Sequence, residues 1–225
     1  METAERPELF PSTPSSMLLH CRGPDCDGRR QVVRRIMGIY ASPLAAYLRS
    51  TSFRRFGDPA EMVNGFFASR LDDDQYLVRW VSSGIRLRRW LINGLLLYLH
   101  EQVRSERRHR RLGVLPESLA AAVDRGFEQV YARSLVQQAM DIARARCEAE
   151  GQSLHWASFL ARHGDAGALA ALRQAHGLSS GQSSHMVRVA TARFRKALVE
   201  LVLLDGATPG EADLEIQRLL RSLGS

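Results

Sequence analysis

ALRQAHGLSSGQSSHMVRVATARFRKAL, residues 171–198, joins an Ala/Leu-rich run to an arginine-dotted one through a single glycine turn. The first run, Asp165 to Ala175, ends at His176-Gly177-Leu178-Ser179, and Ser180 to Leu204 then carries a second set of helical spacings. Helix, glycine turn and cationic helix in that order form a helix-turn-helix pattern. No strand alternation competes with it here or elsewhere in the chain, so the expected fold is all-α.

The same periodicity extends outward. Phe127, Val130, Tyr131, Leu135, Val136, Met140 and Ile142 keep helical spacing as far as Gly151, and a shorter amphipathic piece covers Trp156, Phe159 and Leu160. Upstream of them Gly113 and Pro116 mark a connector. Before it a long helix is expected from about Arg86 past Arg108, Leu/Tyr-rich at first and basic at its end, RSERRHRR. Asp58-Pro59-Ala60-Glu61 reads as a helix start, with a carboxylate at the cap, proline in the first turn and an acid three residues on. Met62, Val63, Phe66, Phe67 and Leu71 supply its apolar face. Asp72-Asp73-Asp74 stops that helix and caps a short one through Tyr76, Leu77 and Trp80, which ends at Ser82-Ser83-Gly84. Nearest the N-terminus, Val32, Val33, Ile36, Ile39, Tyr40, Leu44, Tyr47 and Leu48 describe a helix that Pro43 would kink or divide. Two helical domains joined by a linker follow: a disordered arm over residues 1–15, one domain over 16–111, a linker over 112–123, and a second domain over 124–225.

A hydrophobic fraction of 45% with 24% charged residues argues for a folded chain. The net charge of +7 favours a polyanionic partner, since cations gain free energy by releasing the counterions condensed on nucleic acid. An anionic membrane surface would satisfy the same charge. Lys196 is the only lysine among the 31 basic residues. Arginine's planar fork suits phosphate and guanine, though a GC-rich genome gives the same bias. Three cysteines, Cys21, Cys26 and Cys147, form no disulfide framework and suit a reducing cytoplasm. With His20 they offer too few ligands at usable spacing for zinc, so neither metal nor cofactor is expected. METAERPELFPSTPSSMLLH carries acids and prolines where a signal peptide needs cations and a continuous apolar stretch. The most apolar run, Trp90 to Leu99, covers about half of the roughly 20 residues that span a bilayer, so no membrane insertion is expected. The seven histidines are scattered and no phosphate-binding glycine loop or nucleophile elbow is present, which argues against an enzyme.

In order, these pieces resemble the extracytoplasmic-function sigma factors of the sigma-70 family, over nearly the whole chain from about Ser16 to Leu223. GDPAEMVNGFFASRL looks like the helix that docks on a coiled coil of the largest polymerase subunit. SGIRLRRWLINGLLLYLHEQVRSERR resembles the segment that grips the upstream melted promoter element. Residues 171–198 resemble the C-terminal helix-turn-helix that reads a more distant element, and EADLEIQRLLRSLG is similar to the endings of some members. The resemblance implies a polymerase-binding set of Asp58, Glu61, Met62, Asn64, Phe66 and Phe67. It implies that Ser82 to Arg89 catch an unstacked base, with Arg86, Arg88, Arg89, Arg104, Arg107 and Arg108 on phosphates and Trp90 stacking or buried. In the helix-turn-helix it implies contacts from Ser180, Gln182, Ser183, Ser184, His185, Arg188, Arg193 and Arg195. Core RNA polymerase and promoter DNA would be the partners, with an inhibitory or adaptor protein as a third.

The chain departs from the family pattern at Gly65, where an acid is usual, at Leu96 and Leu97, where bases are usual, and at Glu101, where asparagine is usual. Val189 and Thr191 likewise stand where many relatives carry cations. Those departures motivate a second reading, a sigma-like adaptor acting through a protein partner. A helix-turn-helix regulator working without polymerase is a third, and predicts duplex binding, usually as a dimer.

Overall fold

A computed structural model describes residues 27–109 and 119–224, and of residues 74, 106–109 and 119–125 the backbone alone. Every long element among the described residues is an α-helix, in agreement with the all-α expectation. The expected arm over 1–15, residues 112–118 of the expected linker, and Cys21 and Cys26 lie outside the described residues. By their contacts the residues divide into two units, Met1–Phe127 with Leu203–Thr208, and Glu128–Val202 with Pro209–Ser225. No described helix is long and apolar enough to cross a membrane.

In the first unit α1, Asp27–Arg49, runs unbroken through Pro43. Ile36, Tyr40, Leu44 and Leu48 follow one another at steps of four and are all fully covered, so the stripe seen in the sequence is the core face. A 3-10 turn, Ser52–Phe56, buries Phe53 and leads into α2, Pro59–Arg70, the helix α1 packs against most closely. Asp58 stands at the cap of α2 with extended backbone, but its side chain makes no capping hydrogen bond, and Pro59 in the first turn starts the helix. Asp73 caps α3, Asp74–Ser83, by accepting from the Gln75 amide at 2.9 Å. The long helix α4, Leu87–His109, lays Leu87, Leu91, Leu95, Leu99 and Val103 along one buried edge. Each such leucine, fully buried, contributes about 1.5–3 kcal/mol. Phe127, from the early part of α5, Leu119–Ala149, meets Tyr47 edge-on at 5.5 Å.

The second unit combines the rest of α5 with α6, Ser153–His163, α7, Ala168–Ala175, and α8, Ser180–Leu204, and ends in α9, Ala212–Ser222. Ala143, Cys147, Trp156, Phe159 and Ala190 form its buried centre, with Met140 and Phe194 against it. Trp156 and Phe159 stack at 5.0 Å. The α7–α8 turn is built as the sequence implies. His176 ends α7, Gly177 adopts φ +62°, its amide bonds the Gln174 carbonyl at 3.4 Å and the Leu178 amide bonds that of Arg173 at 2.9 Å. This is the paired bonding of a Schellman turn, which needs the left-handed conformation that glycine reaches without a Cβ penalty. On its far side Ser179 and Gln182 form a reciprocal cap on α8: the Gln182 amide donates to Ser179 Oγ at 3.1 Å, and the Ser179 amide to Gln182 Oε1 at 2.9 Å.

Candidate functional site

The first unit carries a cavity of about 360 Å³ lined by Arg70, Tyr76, Arg79, Ile85, Trp90, Asn93, Gly94 and Leu97. The turn after α3 sets its position, because the Trp80 indole N–H donates to the Ile85 carbonyl at 2.9 Å and fixes where α4 begins. Inside, the Tyr76 and Trp90 rings lie 5.4 Å apart and tilted. Tyr76 reaches this place because Gly94 has no side chain: a Cβ there would stand 2.1 Å from the Tyr76 hydroxyl oxygen and 3.2 Å from the Phe66 ring. The Tyr76 hydroxyl and the Trp90 indole nitrogen are both buried without a hydrogen-bond partner among the described residues. Such groups cost about 1–3 kcal/mol each, and with no exposed surface they belong to the wall of the cavity and do not face its opening. Burial raises the Tyr76 pKa well above the usual phenol value against the opposing pull of Arg70 and Arg79, so the hydroxyl stays protonated and can donate. Arg70 is paired with Glu101 at 2.5 Å and Arg79 with Asp73 at 2.7 Å, both at exposed edges where water screens such pairs. The half-buried Trp90 ring, the exposed Asn93 amide and two arginines suit a planar, polar-edged group attached to an anion.

The residues singled out in the sequence divide according to burial. On α2, Asp58, Glu61 and Asn64 are exposed and Met62 is half-buried, while Phe66 and Phe67 are fully enclosed. Of the two roles open to the phenylalanines, partner surface or core, this structure places them in the core. Their rings lie 5.5 Å apart, and Phe66 also meets Tyr76 at 6.2 Å. Gly65 adjoins α4, where a Cβ would come within 2.7 Å of the Tyr98 hydroxyl. Arg88 is 2% exposed and ion-paired with Asp205, so no phosphate reaches it in this conformation. Arg86 and Arg89 are half-buried and Arg104 is exposed, while the side chains of Arg107 and Arg108 lie outside the described residues. Trp90 is half-buried at the cavity. The leucine pair separates: Leu97 is 58% exposed at the cavity edge and Leu96 is half-buried.

On α8, Ser180, Ser184, His185 and Arg188 are exposed. Ser183 is buried, with its hydroxyl on the Ser180 carbonyl at 3.1 Å, and the exposed Gln182 is held in the cap through its side-chain oxygen. Arg193 pairs with Glu150 and donates to the Arg146 carbonyl at 3.3 Å. Arg195 pairs with both oxygens of Asp213, at 2.9 and 3.0 Å. Of the helix-turn-helix residues expected to contact DNA, Ser180, Ser184, His185 and Arg188 are thus exposed, whereas Arg193 and Arg195 are engaged with acids of the same unit. Below it the His155 ring lies 6.4 Å from that of His185, and desolvation, then Arg193 and His185, lower the His155 pKa.

No family model, curated protein or solved structure matches the chain. Arg70, Tyr76, Arg79 and Asn93 escaped the sequence reading. Tyr76 fitted a helical apolar face, and nothing in local spacing tells that it meets a tryptophan on the next helix.

Proposed function

We propose that the chain is a sigma-type transcription initiation factor. It binds core RNA polymerase through the exposed face of α2, with Asp58, Glu61 and Asn64 outermost, and holds an unstacked base of the melted promoter strand in the cavity that Trp90 and Asn93 line. The α7–α8 helix-turn-helix reads a further promoter element through Ser184, His185 and Arg188. It acts in the cytoplasm and leaves the chemistry to the polymerase. The observation that carries this reading is the cavity itself: a base has a π-face for Trp90, a polar edge for the exposed Asn93 amide, and a phosphate for Arg70 or Arg79. Base–aromatic stacking contributes about 1–3 kcal/mol, so Trp90→Ala should weaken binding of a single-stranded promoter oligonucleotide by roughly tenfold to a hundredfold. Fluorescence anisotropy with single-stranded and duplex DNA tests it. Equal affinity of the wild type and Trp90→Ala for the single strand would refute this role of the cavity.

The exposed Leu97 favours a second reading, a sigma-like adaptor in which the cavity edge receives an apolar side chain of a protein partner. Leu97→Asp would then abolish a protein complex and leave the affinity for single strands unchanged.

A further inference from the structure

The segment Leu203–Thr208, part of the first unit, sits on the amino end of α4. The Leu87 amide donates to the Asp205 carbonyl at 2.9 Å, and the Arg88 amide to its carboxylate at 2.7 Å. The Tyr40 hydroxyl donates to the same carboxylate at 2.7 Å, the Arg88 guanidinium is ion-paired with it, and Arg86 donates to the Gly206 carbonyl at 2.5 Å. Gly206 makes the approach possible: its φ is +92°, and a Cβ would stand 3.2 Å from the Trp80 ring.

A helix-terminal amide, an arginine and a hydroxyl converging on one oxyanion resemble the donor set of a phosphate site. Here the oxyanion belongs to the chain. Stability alone is a poor reason for the arrangement, because two charges taken out of water regain little over an apolar pair of the same shape. Burial indeed raises the Asp205 pKa in spite of Arg88 and the hydrogen bonds that oppose it. Arg88 and Asp205 are 2% and 1% exposed, so no strand meets Arg88 until the segment leaves.

We propose that Leu203–Thr208 is an internal competitor for a nucleic-acid backbone: the Asp205 carboxylate occupies the place of a strand phosphate at the amino end of α4 and must depart before Arg88 can bind one. The inference rests on the promoter-binding reading and adds its regulation. Asp205→Ala in the full chain should bind a fluorescein-labelled, mixed-sequence single strand at least tenfold more tightly than the wild type. Adding Arg88→Ala should remove that gain. A folded Asp205→Ala with unchanged or weaker affinity overturns the competitor. Hydrogen exchange of the unaltered protein gives a test that does not depend on how well the variant folds. The Leu87 and Arg88 amides should exchange through a local opening, well ahead of those of Leu91 and Leu95, and single-stranded DNA should hasten that opening. Exchange of all four only on global unfolding overturns the proposal. Local opening with no binding of single strands by either protein overturns it too, and then the promoter reading fails with it. Binding by the wild type that Asp205→Ala does not improve leaves the promoter reading standing and removes only the competitor.

Discussion

Gln182 shows how a single side chain changes role once its hydrogen bonds are known. Its side-chain oxygen and backbone amide both serve the cap of α8, so Gln182→Ala should lower stability by up to about 1 kcal/mol in urea melts and leave duplex affinity nearly unchanged. A large loss of affinity without loss of stability would return Gln182 to the DNA surface. His155 makes a prediction in pH. Its pKa is lowered from the ordinary value of 6.5, so the unfolded chain takes up a proton at a higher pH than the folded one. The contribution of the neutral ring to stability is therefore present above about 6.5 and lost as pH falls below it. The melting temperature should fall between pH 7.5 and 5.5, and His155→Gln should flatten part of that slope. The reciprocal cap of Ser179 and Gln182 was not read in the sequence, where Gln182 stood only as a DNA contact.

At the scale of the element, α4 is read most clearly from its two leucine faces. Leu95→Ala, at a fully buried position, should cost about 2–5 kcal/mol, whereas Leu97→Ala, at an exposed one, should stay within about 0.5 kcal/mol; chemical denaturation measures both. Equal costs would mean that Leu97 is covered in solution. The buried stripes of α1 and α4 were legible because steps of three and four residues report one helix face whatever lies opposite. Proline at 43 is expected to kink or divide the helix; it does not divide it, for the core residues on both sides belong to one stripe of α1. The cavity was not legible, because Tyr76 and Trp90 belong to different helices and each, taken alone, is an ordinary core aromatic. Nor was the partner of Arg88, which stands 117 residues away in the chain. A cationic side chain in a basic stretch looks solvated until the distant carboxylate that neutralises it is known.

For the whole molecule the governing quantity is charge. With a net charge of +7 the affinity for single-stranded DNA should decline with salt, log K against log salt having a slope of about −0.7 for each phosphate engaged. Fewer phosphates are expected than the arginine count implies, because Arg88, Arg146, Arg193 and Arg195 are paired with acids of this chain. A steep slope, as if nearly every arginine took part, would mean that those pairs open on binding. The central claim, that the chain is a sigma-type partner of polymerase, is tested most directly by size-exclusion co-migration of the full chain with bacterial core RNA polymerase, with and without Glu61→Arg. Glu61 is exposed on α2, so its reversal should leave the fold intact. Co-migration of the wild type that Glu61→Arg abolishes is the predicted result; failure of the wild type to co-migrate with core polymerase from its own source would contradict it.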